Sequence, residues 1–162
     1  MNKYQFDEPN ALGDVALFHE LFDLPILDQP SIPDEKRCEL RVSLLQEELD
    51  ELKEAIQDKD MVGIADALSD LQYVLSGAVL EFGLGKKFKK LFDEVQRSNM
   101  SKACATYEDA ILTRDYYWEQ KNTISHIVEK NGEYLVYREG DKKVLKNIHY
   151  SEADLKKIVQ EK

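Results

Sequence analysis

Carboxylates dominate the segment LLQEELDELKEAI, residues 44–56, in which five acids fall within eight positions: Glu47, Glu48, Asp50, Glu51 and Glu54. At about 100° per residue, the leucine and isoleucine residues of this segment form one stripe of a helix. Glu48 falls within this apolar sector, and Glu51 lies at its edge. Asp50 and Glu54 point away from it, and Glu47 lies between Glu51 and the polar face. Two of the acids therefore occupy positions that a packed helix would give to leucine.

A second pair of acids, Asp66 and Asp70, lies in the apolar segment MVGIADALSDLQYVLSGAVLEFGLG. Residues four apart share a helix face. The main apolar stripe of this helix is predicted to contain Ile64, Leu68, Leu71, Leu75 and Phe82. The two aspartates lie opposite that stripe and are flanked by Tyr73, Val74 and Leu80. We therefore expect the second face to be covered as well and its aspartates to be semi-buried.

Inward-facing carboxylates on two neighbouring helices suggest a cation site. A buried carboxylate costs several kcal/mol unless it is paired or bound to a metal, and four of them would repel one another. Mg²⁺ prefers oxygen ligands and keeps water molecules that substrate phosphates can replace. The alternative is that the acids pair with Arg37, Arg41 or lysines, or are simply hydrated on a wet helix face.

The order of these segments resembles the all-α nucleotide pyrophosphohydrolases, the MazG-like and phosphoribosyl-ATP pyrophosphohydrolase-like superfamily. Its signature is E-E-x-x-E on one helix and E-x-x-D on the next. Glu47, Glu48 and Glu51 fill the first half here, and Asp70 ends the second. FDEVQRSNMSK and GDKKVLKNIHYSEADLKKIV resemble segments of a branch that includes dimeric dUTPase-like enzymes. The resemblance covers roughly residues 13–103 and the C-terminal segment, but not residues 104–139, which look like an insertion.

One position departs from this signature. The residue three before Asp70 is Ala67, where the family pattern has a glutamate, and Asp66 lies one position earlier. Because Asp66 and Asp70 are four residues apart, they share a helix face. We expect Asp66 to take the ligand role; otherwise the site would keep three protein carboxylates.

The resemblance implies Mg²⁺-dependent hydrolysis of a nucleoside or deoxynucleoside triphosphate to the monophosphate and pyrophosphate. Non-standard nucleotides and dUTP are candidate substrates. The metal, Mg²⁺ or alternatively Mn²⁺, would be held by Glu48, Glu51, Asp66 and Asp70. Glu47 would orient or deprotonate the attacking water. The candidates for binding substrate phosphates are Asn99, Lys102, Lys143 and Lys146. A homodimer or higher homo-oligomer is also implied.

The periodicity of the chain favours a mainly α fold. Helices are predicted at about residues 13–22, 34–57 and 60–83 and from about residue 86, and their short links favour an antiparallel four-helix bundle as the core, residues 1–103. An extension, residues 104–162, is predicted to pack on that core. It contains a short helix, a β-hairpin turning at Asn131-Gly132, and a final helix with Ser151 at its N-cap.

Composition narrows the classes of function. The chain has 162 residues and a net charge of −10, which argues against binding to nucleic acid or an anionic membrane. Asp66, Asp70 and Glu81 make the long apolar segment unsuited to span a membrane. Cys38 and Cys104 have no metal-ligand spacing, and the N-terminus has no apolar run typical of a signal peptide. A cytoplasmic protein is expected.

Rival site classes fit less well. A di-iron bundle needs Glu-x-x-His pairs, and the residues three before His19, His126 and His149 are alanine, threonine and lysine. No D-x-D-x-D-G loop is present for an EF-hand. For His19 we favour a helix-surface or interface position over contact with a base. The alternative to an enzyme is a non-catalytic helical interaction protein, which would have no use for Asp66 and Asp70.

Overall fold

A computed structural model describes residues 4–161, which form six α-helices and one two-stranded antiparallel hairpin. The helices are α1 (Ala11–Leu21), α2 (Glu35–Asp58), α3 (Met61–Glu81), α4 (Phe88–Met100), α5 (Tyr107–Lys121) and α6 (Leu155–Gln160). The strands are β1 (Ser125–Lys130) and β2 (Glu133–Arg138). The chain divides into two compact units, the first ending at Phe88 and the second beginning at Lys89.

Helices α2 and α3 form a helical hairpin, and α1 packs on α3. Asp34 caps α2 by accepting a hydrogen bond from the Arg37 amide at 3.1 Å. Lys59 ends α2 in the left-handed conformation, with φ 56° and ψ 31°. Asp60 then caps α3 by accepting from the Val62 amide at 3.0 Å. Because only two residues join the helices, they run antiparallel, and residues equally far from the connection face each other.

The contact between α2 and α3 buries one stripe of each helix. On α2 the half-buried stripe contains Leu44, Leu45, Glu48, Leu52 and Ala55. On α3 the buried or half-buried stripe contains Ile64, Ala67, Leu71, Val74 and Ala78. Leu68 and Leu75 were predicted in the core, but they are 52% and 40% exposed. The prediction was wrong for these two because α3 is apolar on several faces, and its sequence does not determine which face packs.

Polar groups occupy the centre of the first unit. Glu81, at the end of α3, is fully buried and accepts hydrogen bonds from Arg37 and Arg41. His19 of α1 is only 2% exposed, so the surface position predicted for it is wrong. It is buried because both of its ring nitrogens find partners inside the unit. Within residues 4–161 no helix has the length and apolar character needed to cross a membrane.

The second unit is built around the predicted hairpin. Asn131 and Gly132 form its turn with φ values of 56° and 82°, and Lys130 pairs with Glu133 across it. Positive φ at both turn positions is the geometry that Asn-Gly adopts most readily. Helix α5 packs against both strands. A small core of Cys104, Ala110, Val136 and Leu145 lies in this unit.

Most of the predicted elements are confirmed: the mainly helical character, the hairpin and the final helix. Ser151 is not the cap of α6, because Asp154 accepts the hydrogen bond from the Lys157 amide at 3.2 Å. The Ser151 amide instead donates to Ser101 Oγ at 3.0 Å. The four-helix bundle stays a prediction, since all of α4 after Phe88 belongs to the second unit. Both cysteines are free.

Candidate active site

The acidic residues lie at facing levels of α2 and α3. Glu48 lies ten residues before the end of α2 at Asp58, and Asp70 lies nine residues after the start of α3 at Met61. At 1.5 Å per residue, both are about 15 Å from the connection. Glu51 and Asp66 lie about one turn closer to it. The helical hairpin therefore brings the two halves of the acidic signature to the same level of the first unit.

Glu48 is the most buried of these carboxylates. It lies in the half-buried stripe of α2, and its Oε2 is buried with no hydrogen-bond partner in residues 4–161. Burial raises the pKa of Glu48, and the charges of Glu51, Asp70, Glu47 and Asp66 raise it further, in that order. Glu48 therefore lies within electrostatic reach of all four other acids of the site.

The other four acids are more open than predicted. Glu47, Glu51, Asp66 and Asp70 are all exposed in the single chain. The inward position predicted for Glu51 is therefore wrong for the single chain. The semi-buried state predicted for the two aspartates is wrong for the same reason. The reason is that only one stripe of each helix is covered, and these side chains lie beside it.

Arginine does not neutralise this acidic face. Arg37 and Arg41 both pair with Glu81. In the part of the chain that the structure describes, none of the five acids has a side-chain hydrogen bond or ion pair. The alternative in which these arginines pair with the acids is therefore wrong, and the face carries an uncompensated negative charge.

The donor set suits a hard divalent cation. All five side chains offer carboxylate oxygens, and Glu48 holds one buried oxygen that lacks a partner. Oxygen donors of this kind are the ligands that Mg²⁺ and Mn²⁺ prefer. Among residues 4–161, no group of three or more His, Cys, Asp or Glu side chains is arranged so that it could hold a metal ion as the single chain stands. Carboxylates of like charge repel one another, and a cation is what draws such a set together.

Ala67, where the family signature has a glutamate, is a packing residue in this chain. It is 2% exposed and belongs to the stripe of α3 that is buried against the rest of the unit. Asp66, its neighbour in the sequence, points about 100° away around the helix and is exposed. The acid of this chain therefore approaches Glu48 from a different side of α3 than a glutamate at position 67 would.

A cavity of about 260 Å³ lies one helical turn beyond the acids. Leu44 and Val74 line it, and they are four residues from Glu48 and Asp70 respectively. Its other lining residues include Phe18, His19, Arg41, Tyr73 and Gly77. The half-open Phe18 and Tyr73 rings meet edge to face, with centroids 5.6 Å apart. Because His19, Arg41 and Gly77 are buried, they form its closed end.

The closed end is organised by the buried carboxylate of Glu81. Burial alone would raise the pKa of Glu81, but the hydrogen bonds from Arg41 and Arg37 outweigh burial, so the pKa is lowered. Arg41 also donates to Nε2 of His19 at 3.4 Å. Gly77 permits this packing, because a Cβ there would lie 2.6 Å from Arg41 Nη1. This cluster was not predicted from the sequence. The visible signal was the i, i+4 spacing of Arg37 and Arg41, which were considered only as alternative partners of the site acids.

The predicted phosphate ligands all belong to the second unit. Asn99 and Lys102 lie together, with Lys102 Nζ donating to Asn99 Oδ1 at 2.8 Å. Lys146 Nζ lies 4.2 Å from the centre of the Tyr150 ring. Lys143 is exposed, and its amide donates to Asp141. The structure thus brings Asn99 and Lys102 together.

Antiparallel helices that present facing carboxylates define the class of the all-α nucleotide pyrophosphohydrolases. Residues 15–99, slightly more than half of the chain, match the phosphoribosyl-ATP pyrophosphohydrolase family. The chain belongs to this family, which is part of the MazG-like all-α superfamily, and the resemblance seen in the sequence is confirmed. The matched range contains all five acids of the site.

The chain is also similar to an uncharacterized protein of Acanthamoeba polyphaga mimivirus. The two are 24% identical over 112 residues, which cover 69% of this chain. The aligned region spans 40% of the length of the viral protein. This relative therefore extends well beyond the region that the two proteins share.

Proposed function

We propose that the protein hydrolyses a nucleoside or deoxynucleoside triphosphate between its α- and β-phosphates, with Mg²⁺ or Mn²⁺ as the cofactor. The observation that carries this proposal is Glu48, whose buried oxygen has no partner and whose pKa is raised first by burial and then by four neighbouring acids. Glu48, Glu51, Asp66 and Asp70 would hold the cation. When bound there, it supplies positive charge that offsets the charge developing on the phosphate oxygens.

Glu47 is proposed to hold the attacking water and to accept its proton. Its side chain is exposed and has no ion-pair partner in the described residues, so its oxygens are free to accept from water. Its charge is one of those that raise the pKa of Glu48, which supports a place beside the metal ligands. A general base must lie within hydrogen-bond reach of the proton it takes, so the proposal requires the attacking water to bind between Glu47 and the cation.

The nucleoside is proposed to occupy the cavity beyond the acids. Arg41 at its closed end and Glu48 are seven residues apart on α2, which corresponds to about 10 Å along the helix axis. This span is comparable with the length of a nucleoside, so a base in the cavity would place its phosphates over the carboxylates. The Phe18 and Tyr73 rings give the cavity apolar walls suited to a flat base.

Pyrophosphate release from a panel of nucleotides tests this function. The panel includes dUTP and non-standard nucleotides, with Mg²⁺, with Mn²⁺ and with a chelator. We expect metal-dependent release that Glu48→Ala abolishes and Glu54→Ala, an exposed acid on the same helix, preserves. Release from no nucleotide would leave the non-catalytic helical interaction protein as the better description. Full activity of Glu48→Ala would instead reject Glu48 as a residue that the activity needs.

A further inference from the structure

The second unit contains a cavity of its own, of about 360 Å³, between α5 and residues 146–152. We call it the α5 cavity. Its volume lies within the range of small-molecule sites, about 300–1,000 Å³. Three tyrosines form much of its wall: Tyr116, Tyr117 and Tyr150. Its charged residues are Lys146 and Glu152, so it is built from other residues than the acidic face.

Hydrogen bonds hold the two walls of the α5 cavity together. The Lys146 amide donates to the Tyr117 hydroxyl at 3.3 Å. Two residues further on, the Ile148 amide donates to Oγ1 of the buried Thr113 at 3.1 Å. The segment is thus fixed on α5 without a ligand, and a preformed site loses less conformational entropy when it binds.

Lys146 brings an accessible positive charge to the α5 cavity. Its side chain is 50% exposed, and its Nζ lies 4.2 Å from the centre of the Tyr150 ring. Its ion-pair partner is Glu152, whose Oε1 is 3.9 Å away. This distance is too long for a hydrogen bond, so within residues 4–161 the ammonium makes none. Its three donors are therefore open to an anionic group that enters the cavity.

Tyr116 brings an accessible aromatic ring. The residue is 46% exposed, and the Tyr116 and Tyr117 rings meet edge to face, with centroids 5.5 Å apart. Because the Tyr117 hydroxyl is itself hydrogen-bonded, this contact restrains the Tyr116 ring. A restrained, half-open ring is a surface on which a flat aromatic group can stack.

We propose that the α5 cavity binds a nucleotide without a metal ion, with the base against Tyr116 and the phosphate on the ammonium of Lys146. Aromatic side chains stack on every base, and a lysine binds phosphate as a point charge. A metal ion is not needed, because Lys146 supplies the positive charge. The inference does not depend on the proposed function, since none of the five acids takes part.

Two-dimensional NMR titration of the full chain in the presence of a chelator tests this site. The probes are AMP, adenosine and ribose 5-phosphate, which separate the base from the phosphate. We expect AMP to shift the amide signals of residues 146–150 and to bind more than about tenfold tighter than either fragment, because it makes both contacts. No shifts in this segment, or ribose 5-phosphate binding as tightly as AMP, overturns the proposal.

Matched variants assign the two contacts. Tyr116→Ala should weaken AMP about tenfold and leave ribose 5-phosphate unchanged, whereas Lys146→Gln should weaken both. Trp118→Ala and Lys142→Gln are the controls, since both residues are exposed and neither lines the α5 cavity. Melting curves check folding, and if Tyr116→Ala does not fold, Lys146→Gln decides. Unchanged AMP affinity in Lys146→Gln overturns the proposal.

Glu48→Gln separates this site from the candidate active site. We expect the variant to keep its AMP affinity and the shifts at residues 146–150, and a loss of both would overturn the proposal. AMP binding here without pyrophosphate release from any triphosphate would uphold the inference and reject the hydrolase. Metal-dependent hydrolysis without shifts at residues 146–150 would do the reverse.

Discussion

Glu48 occupies a position of a packed helix where leucine would be expected. The free energy of unfolding should therefore depend on the protonation of Glu48. Its raised pKa means that the folded state favours the protonated form. Between the ordinary value of 4.5 and the raised pKa, the folded state binds more protons than the unfolded state. Stability of the metal-free protein therefore falls as pH rises through this window, and the loss persists at neutral pH.

Removing the negative charge of Glu48 should stabilise the metal-free protein at neutral pH. Glu48→Gln should raise the melting temperature of the metal-free protein at pH 7 by a few degrees and flatten its dependence on pH above 4.5. The same variant should lose the stabilisation that Mg²⁺ gives to the wild type. Thermal melts from pH 4 to 8, with and without Mg²⁺, measure both effects. A metal-free variant less stable than the wild type at pH 7 would contradict the prediction, and Glu54→Gln serves as the neutral control.

Asp66 is expected to take the ligand role of the glutamate that the family signature has at position 67. Asp66→Ala should weaken Mg²⁺ binding by more than about tenfold, since loss of even an outer-sphere partner often costs that much. Asp50→Ala is the control, because Asp50 is an exposed acid that pairs with Lys53. Calorimetric titration with Mn²⁺ and the Mg²⁺ dependence of pyrophosphate release measure the effect. Unchanged values for Asp66→Ala would remove this residue from the ligand set.

At the scale of elements, the end of α3 depends on one glycine. Gly83 has a φ of +66°, and a Cβ there would lie 1.9 Å from the carbonyl oxygen of Gln29. The loop after α1 lies close here because the Ser31 amide donates to Phe82 O at 3.1 Å. The buried Glu81 cluster lies at the same end of α3, so this close approach also holds the closed end of the cavity in place.

Substitutions at two glycines with positive φ test the importance of this close approach. Gly83→Ala should lower the free energy of unfolding by about 2–4 kcal/mol, combining left-handed strain with a steric clash. Gly140→Ala, with φ +91° and nothing within 4 Å, should cost only the strain of about 1–2 kcal/mol. Urea titration followed by circular dichroism compares the two. Equal losses would show that the contact with Gln29 can relax without cost.

Local signals made several elements predictable from the sequence. The Asp34 cap and the Asn131-Gly132 turn depend on neighbouring residues alone, so a short window contains the information. The position of Glu48 within an apolar stripe was also predictable, because α2 has a distinct polar face. The packed face of α3 was not, since that helix is apolar on several sides.

The cluster at the closed end of the cavity could not be predicted from the sequence, for a different reason. His19, Arg41 and Glu81 come from three helices, and a buried charge that is neutralised by a distant partner leaves no periodic pattern in the sequence. The acidic signature was recognisable because its spacing resembles a known family. The exposure of Glu51, Asp66 and Asp70 depends on which neighbours cover α2 and α3, and no single-helix wheel contains that information.

At the scale of the whole molecule, the single chain leaves many large apolar side chains open to solvent. Those of α1, α2 and α3 include Leu17, Leu21, Val42, Ile56, Met61, Val62 and Leu68. Monomeric proteins rarely expose large contiguous apolar patches, and obligate dimers cover such surfaces with a second copy. We propose that a homodimer covers the exposed sides of α2 and α3.

This proposal predicts a dimer by light scattering and a melting temperature that rises with protein concentration. Leu68→Lys should shift the population towards monomer and lower the melting temperature, because it places a charge on the exposed apolar side of α3. Gln57→Lys, an exposed polar position at the end of α2, should change neither. A wild-type monomer at about 100 μM, far above the dissociation constants of stable dimers, would contradict the proposal.

The short connection between α2 and α3 also bears on how the protein is made. All five acids lie between Glu47 and Asp70, so the acidic face is built from one contiguous stretch of chain. Contacts between near neighbours in sequence form quickly, and domains fold from the N-terminus as synthesis proceeds. The candidate metal site can therefore be complete on the nascent chain before the ribosome has translated the hairpin of the second unit.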